Sequence, residues 1–286
     1  MFKTIGVKSN IKNIITICKP FLSNNTTKTE LKNAYRNFLK KAQPSVPRKD
    51  TQDISFLHRP QEIKSLLKIF EGKSILDDFE AIFDSSDLSE QEFSIKAVMQ
   101  SLEEIQEIDS AYYNLIQLAI NTIFSAPSKF AGGGSTSAAI GCIWVNLRKH
   151  WQKQDILEFL IHETTHNLVF LDELCYSHYS NYSELPKEEN FSWSAILNKP
   201  RPLDKVFHSI IVSTEILLFR NEYLGHPDNP CLHPPSDIML DQLRHSIDYL
   251  KKYSHLRNLL SQRANNLLNI CENKLEILKL NSLCCG

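Results

Sequence analysis

Glycine is scarce in this chain, and the scarcity limits the folds that the chain can adopt. Only eight of its 286 residues are glycine, and four of these fall between Gly132 and Gly141. All-β sandwiches and barrels need many tight turns, where glycine supplies positive φ angles, so the composition argues against them. We therefore expect a mostly helical single domain with short connections.

The spacing of apolar residues locates the elements. It predicts helices over residues 1–45, 61–71, 89–125, 155–174, 204–224 and 236–280. The compact run Ile140–Val145 predicts a small β element, a short strand or hairpin, just before the 155–174 helix. Gly132–Ser137 is typical of a flexible loop, and the polar, proline-bounded segment 177–202 is typical of a long functional loop.

The charges divide unevenly along the chain. Residues 1–50 hold 11 lysines and arginines against only Glu30 and Asp50, whereas the other 236 residues hold 21 basic and 31 acidic side chains. A basic helical N-terminal arm over 1–50 could contact nucleic acid, an acidic peptide or the rest of the chain. Because no aromatic residues interleave with the charges in a recognised motif, the pattern argues against nucleic acid.

Targeting signals are not recognisable in the sequence. No apolar run approaches the roughly 20 residues that a membrane-spanning helix needs, which argues against a membrane partner. The first 18 residues lack the cleavage site of a secretory signal. Seven cysteines without a CxxC pair favour reduced thiols. These features predict a cytoplasmic protein and leave its oligomeric state open.

The residues His162-Glu163-Thr164-Thr165-His166 form an HExxH motif within an apolar helical segment. Histidines at positions i and i+4 project from one face of a helix, at the separation needed to hold one metal ion. The motif therefore predicts a metal site on His162 and His166. In zinc peptidases, the residue at the position of Glu163 is the general base that activates metal-bound water.

The third ligand is less clear from the sequence. The metzincin extension needs a glycine where this chain has Val169, so Asp172 is disfavoured as a ligand. A carboxylate on a second helix would suit a thermolysin-like site, but the glutamates of 184–189 lie in a polar loop. His208, near the start of a later apolar helix, is the better candidate. Glu215 shares its face and could bind the metal or orient a histidine.

Three features together resemble the HEXXH-motif domain family, described as alpha-ketoglutarate-dependent, HExxH-type peptide beta-hydroxylases of ribosomal peptide biosynthesis. They are the glycine-serine loop and strand over 133–145, the Leu-Ile-His-Glu-x-x-His-Asn-Leu form of 160–168, and the Arg-Pro-Leu-x-x-Val-x-His segment of 201–208. The likeness covers roughly residues 130–225, which form the expected core of a catalytic metal-binding domain over 51–286.

The resemblance implies Fe(II) held by His162, His166 and His208, with alpha-ketoglutarate as co-substrate and a ribosomally made precursor peptide as partner. Arg201 would bind the distal carboxylate of the co-substrate, because a guanidinium matches a carboxylate with two donors. Further residues that could contact the substrate are Ser135, Ser137 and Trp193. Glu163 stays a candidate for direct participation in the chemistry.

Two other functions remain open at this stage. A zinc metallopeptidase of the HExxH type would use Zn(II) with Glu163 as base, and imidazole ligands suit zinc as well as iron. A peptide-binding protein with a purely structural metal site would need a fourth ligand. His150 and His178 are the candidates for that ligand.

Overall fold

The computed structural model of the protein describes residues 1–23, 27–71, 88–129 and 131–284. The chain divides into two compact units: a motif unit of Val7–Cys175, and a C-terminal unit of Tyr176–Gly286 with Met1–Gly6. Helices make up 66% of the residues and the sheets are small, which confirms the predicted fold class. The predicted boundary at residue 50 does not separate these units, because residues 7–50 belong to the motif unit.

The described residues contain eleven helices and six short strands. The helices are α1 (Phe2–Ile5), α2 (Val7–Cys18), α3 (Lys28–Ala42), α4 (Pro60–Phe70), α5 (Leu88–Ile108), α6 (Ser110–Ala119), α7 (Lys153–Tyr176), α8 (Leu203–Phe219), α9 (Ser236–Lys252), α10 (Ser254–Leu259) and α11 (Gln262–Cys284). The strands are β1 (Ser55–Leu57), β2 (Thr122–Ser125), β3 (Gly133–Gly134), β4 (Cys142–Val145), β5 (Ser192–Trp193) and β6 (Pro200–Arg201).

A four-stranded sheet in the motif unit has the order β1-β2-β4-β3. β2 pairs in parallel with both β1 and β4, while β3 runs antiparallel to β4. Both central strands are buried along their whole length, and Phe124 and Trp144 pack into a core cluster with Leu66 and Phe70 of α4. The predicted strand before the metal-binding helix is therefore β4, at the centre of this sheet.

The predicted helix over 89–125 is interrupted at Asp109 and is wrong beyond Ala119, where α6 ends. Asp109 ends the first helical stretch and caps α6, since its carboxylate accepts hydrogen bonds from the backbone N–H groups of Ala111 and Tyr112. Residues Thr122–Ser125 then form β2. A four-residue strand buried on both faces has no polar alternation, so apolar periodicity cannot separate it from the end of a helix.

α3 forms as its sequence predicts. The Thr27 hydroxyl accepts the N–H of Glu30, and the Glu30 carboxylate accepts the N–H of Thr27, which completes a capping box. Leu31, Tyr35 and Leu39 are buried on the inner face of the helix. The same helix carries several cations of the predicted basic arm.

α8 is the central helix of the C-terminal unit. It is buried from Leu203 to Leu217, and α1, α9 and α11 pack around it. An all-round apolar sequence is typical of a helix that is surrounded by protein. Ahead of it, the loop 177–202 contains two 3₁₀ turns and the antiparallel pair β5–β6.

Among the residues that the structure describes, no helix has both the length and the apolar character needed to cross a membrane.

Candidate metal centre

His162 and His166 lie one turn apart on α7, and their rings are the partly exposed members of an otherwise buried stretch. The two Nε2 atoms are 3.1 Å apart. The side chain of His162 is 19% exposed, so its ring nitrogen is within reach of an incoming ion. The predicted pair is thus brought together on one face of the helix.

The spacing of the two nitrogens suits a shared metal ion. Two nitrogens that each lie about 2.1 Å from one metal and 3.1 Å from each other subtend an angle of about 95° at the metal, which four-coordinate or six-coordinate ions accommodate. The same distance also allows a hydrogen bond between two neutral imidazoles. The pair therefore fits a metal ion without distortion.

Glu163 is buried beside this pair. Its Oε1 lies 3.8 Å from His162 Nε2, and its Oε2 has no hydrogen-bond partner among the described residues. Burial raises the pKa of the Glu163 carboxyl to about 8, an effect that Ser135 partly opposes. A carboxyl that titrates near neutral pH next to two imidazoles can accept or donate a proton there.

Asn167, directly after the motif, fixes this turn of α7 in place. Its Oδ1 accepts the N–H of Gly141 at 2.6 Å, and its Nδ2 donates to the Ser135 hydroxyl at 3.0 Å and to the Glu163 carbonyl at 2.9 Å. One buried amide therefore joins the motif to Ser135 of the glycine loop and to Gly141 just before β4. The sequence pattern did not predict this function, although an asparagine in so apolar a helix is a signal for it.

The loop Gly132–Ser137, predicted to be flexible, is held in place by its neighbours. At Gly133, where φ is 150°, a Cβ atom would lie 2.4 Å from the Phe159 ring, so only glycine fits. Ser135 donates to the Glu163 carbonyl at 3.3 Å, and the Ser137 carbonyl accepts a hydrogen bond from Gln43 at 2.7 Å. Ser135 therefore positions the motif, and the predicted substrate contacts of Ser135 and Ser137 stay predictions.

Asp172, which the sequence disfavours as a ligand, has another function. α7 continues unbroken past it to Tyr176. The Asp172 carboxylate accepts a hydrogen bond from Asn13 Nδ2 at 2.7 Å, which joins α7 to α2.

His208 and Arg201, the other predicted site residues, belong to the C-terminal unit. His208 is buried on the first turns of α8. Burial lowers the pKa of His208 well below its usual value, and the positive charges of Lys205, His178 and Arg201 lower it further. His208 is therefore neutral, as a metal ligand must be.

Cations outnumber acids around His208. Lys205 is buried and its Nζ lies 3.5 Å from the buried Asp204 carboxylate. Burial lowers the pKa of the Arg201 guanidinium to about 10 and raises that of Asp204 to about 6. Arg201 and a second cation, Lys205, therefore both lie near His208. The sequence pattern did not indicate Lys205.

Glu215 and Trp193 have structural contacts within the C-terminal unit. The two Glu215 oxygens accept the N–H groups of Lys3 and Thr4 at 2.5 and 3.1 Å, and the Thr4 hydroxyl at 2.6 Å. Glu215 therefore anchors α1 on α8, a function that the sequence did not predict. Trp193 Nε1 donates to Asn198 at 2.7 Å, and its ring lies 5.5 Å from that of His245.

The remaining candidates from the sequence are Glu184, His178 and His150. Glu184 forms an ion pair with Lys187 at 2.8 Å in the loop, as a surface carboxylate does. His178 is buried against Phe207, with ring centroids 5.2 Å apart, and His150 is exposed. Within the described residues, no three His, Cys, Asp or Glu side chains are grouped so that they could hold a metal ion. The third ligand stays a prediction.

No protein-family model matches the chain, and no curated protein is significantly similar to it. The resemblance to the HEXXH-motif domain family therefore depends on the residues quoted for it.

Proposed function

We propose that the protein is an Fe(II)- and alpha-ketoglutarate-dependent oxygenase that hydroxylates the β-carbon of a residue in a ribosomally made peptide. The observation that carries the metal site is the pair of imidazole nitrogens 3.1 Å apart on α7, beside a buried carboxyl. The choice of iron and of a peptide substrate is supported by the residue pattern over 133–145, 160–168 and 201–208.

His162 and His166 would hold the iron in this proposal. When bound, Fe(II) supplies the redox chemistry in which O₂ and alpha-ketoglutarate convert a C–H bond into C–OH, with succinate and CO₂ as the other products. Two neutral protein ligands leave coordination positions open, which such a reaction needs. Asn167 keeps the backbone of the motif turn fixed while ligands exchange.

The cations of the C-terminal unit support binding of the co-substrate. Alpha-ketoglutarate is a dianion, and the half-buried Arg201 and the buried Lys205 lie close to a single acid, Asp204. A guanidinium and an ammonium together can bind a carboxylate more tightly than either one alone. We therefore add Lys205 to Arg201 as a residue that binds the co-substrate carboxylate.

Zinc peptidase activity is the second candidate, and one observation favours it. Glu163 is buried beside the imidazole pair with its pKa raised to about 8, and such a carboxyl can serve as a general base near neutral pH. Under this alternative, Glu163→Gln removes the activity because the base is lost. Under the oxygenase proposal, the same variant keeps the two imidazoles and still binds iron.

The first experiment is anaerobic titration of the metal-free protein with Fe(II) and then with alpha-ketoglutarate. We expect a visible charge-transfer band that requires both additions, and succinate once O₂ is admitted. His150→Ala, an exposed histidine of the same unit, is the matched control and should keep the band, whereas His162→Ala should lose it. A protein that binds iron but gives neither band nor succinate would contradict the proposal.

A further inference from the structure

A basic pocket in the motif unit has no function in the chemistry above. Its volume is about 340 Å³, and it lies where α3 meets α6 and the turn at 52–53. Lys28 and Lys32 of α3 line it together with Gln52, Asp53, Asn114 and Gln117. Four of these six residues are exposed and form the rim, whereas Lys32 lies at the base.

The two lysines that line this pocket and Arg36, one turn beyond them, lie along one face of α3. Lys28, Lys32 and Arg36 are spaced four residues apart, so they follow each other along the helix. Lys28 Nζ donates to Asn114 Oδ1 at 2.6 Å. Lys32 and Arg36 are only 9% and 7% exposed. Neither side chain forms a hydrogen bond or an ion pair with another of the described residues.

The pocket offers these cations little compensating charge. Asp53 is the only acid among its lining residues and lies at the exposed rim, beyond ion-pair distance from any described cation. Asp50, the next acid along the chain, is paired with Lys40. Burial, and then the charge of Arg36, lowers the pKa of Lys32 to about 8, an effect that the charge of Asp53 partly opposes. A buried cation whose charge is only partly compensated costs free energy, and a bound anion would reduce that cost.

We propose that this pocket binds a carboxylate-bearing segment of the substrate peptide. A carboxylate would enter between Lys28 and Lys32, with Arg36 adding positive charge one turn further along α3. The amides of Gln52, Asn114 and Gln117 both donate and accept, so they can pair with the N–H and C=O groups of a peptide backbone. Asp53 at the rim repels a polyanion such as nucleic acid but can accept a peptide N–H.

This inference rests on the proposed function in one respect, namely that the ligand is the substrate peptide. The pocket and the motif belong to the same unit but use different residues, so they can be tested separately. Loss of the pocket should weaken peptide binding without changing how much iron the protein holds.

The test measures binding of the full-length protein to a fluorescein-labelled peptide of alternating glutamate and glycine, by fluorescence anisotropy. The matched probe replaces every glutamate with glutamine. We expect the glutamate peptide to bind at least tenfold more tightly than the glutamine peptide, and the difference to shrink at high salt. Equal binding of the two probes would overturn the proposal.

The decisive variant is Lys32→Met with Arg36→Met, which removes two charges and keeps an unbranched aliphatic stem at each position. Its control is Lys64→Met with Lys68→Met, which removes two charges from exposed positions on α4. We expect the first pair to weaken binding of the glutamate peptide at least tenfold and the second less than twofold. Equal effects of the two pairs of substitutions would show that the peptide is attracted non-specifically by positive charge. That result would refute binding in the pocket.

Two competitors test which class of anion the pocket binds. Inorganic phosphate and an oligothymidine are each added against the bound glutamate peptide at constant ionic strength. We expect neither to displace it as effectively as unlabelled glutamate peptide. Stronger displacement by oligothymidine would reassign the pocket to nucleic acid, and stronger displacement by phosphate would reassign it to a small anion; either result overturns the proposal.

An iron titration of the same variants distinguishes this inference from the proposed function. If the pocket variant loses the peptide but keeps the iron affinity of the wild type, the pocket is confirmed as separate from the metal site. If the wild type binds the peptide but gives no succinate with iron, the oxygenase proposal fails and the pocket stands.

Discussion

The motif turn of α7 and the first turns of α8 are both buried in apolar helices, yet they handle polar groups in different ways. In α7, most polar side chains of the motif region have a nearby partner: Asn167 bonds three groups and Asp172 bonds Asn13. At the start of α8, Arg201, Lys205 and His208 lie together with one acid. The first region supplies neutral nitrogen donors and the second supplies positive charge.

Under the proposed function, each of the two regions would carry one part of the chemistry. A metal ion needs neutral imidazoles that are held rigidly, and a dianionic co-substrate needs cations that are shielded from water. The following predictions test whether each region has the function that its side chains suit.

The largest effect is expected from the imidazole pair. His162→Ala or His166→Ala should weaken Co(II) binding at least 100-fold, or about 2.7 kcal/mol, because one of two donors on the same face is lost. Co(II) serves as a coloured probe, and its absorbance gives the dissociation constant. If either variant binds as tightly as the wild type and the His150→Ala control, α7 is not the metal site.

The next effect concerns the rigidity of the motif turn. Asn167→Ala should lower the free energy of unfolding of the motif unit by about 2–3 kcal/mol, since the buried N–H of Gly141 and the Ser135 hydroxyl lose a partner. Urea unfolding followed by the fluorescence of Trp144 and Trp151 measures the change.

The matched change in α8 is Thr214→Val. The Thr214 hydroxyl donates to the Ile210 carbonyl within its own helix at 2.8 Å, and it also contacts the Cys271 thiol. The cost of this substitution should be less than about 1 kcal/mol. Equal costs for the two variants would show that Asn167 has no special function in holding the motif.

The sequence predicts these regions only where the residues that contact each other are close together along the chain. Five residues of one helix specify the His162–His166 pair, so the sequence predicts it. Asn167 functions through Gly141 and Ser135, which lie 26 and 32 positions away, and Lys32 lines a pocket with Asn114. Local patterns cannot show which distant segments meet. The buried strand β2 was missed for the same reason, because its neighbours in the sheet define it.

Lys205 allows a sharper test of the cationic region. Lys205→Met should weaken binding of alpha-ketoglutarate about tenfold, or about 1.4 kcal/mol, and leave Co(II) binding unchanged. Isothermal titration calorimetry gives the dissociation constant. Lys199→Met, at an exposed position of the same unit, is the control. An unchanged affinity in the Lys205 variant would remove this lysine from the co-substrate site.

The smallest effect is a pH dependence of stability that arises from Lys32. Its pKa is about 8 in the folded protein against 10.5 as its usual value, so the unfolded chain binds the proton more tightly between these values. The contribution of this lysine to stability should therefore rise by about 1 kcal/mol from pH 8 to pH 10.5, allowing for the water in the pocket.

Lys32→Met isolates that contribution, because other groups titrate in the same range. The variant should be more stable than the wild type at pH 7, and the advantage should shrink towards pH 10.5. Urea unfolding at both pH values measures the difference. A constant difference would mean that Lys32 keeps its usual pKa and that its burial costs little.

The central claim is that the chain holds iron and uses alpha-ketoglutarate. The most direct measurement is the metal content of protein purified without added metal, followed by a succinate assay on the same sample with alpha-ketoglutarate and O₂. The account predicts iron as the bound metal and formation of succinate, both lost in His162→Ala. Bound zinc without succinate, in a sample that stays inactive after loading with Fe(II), would contradict it.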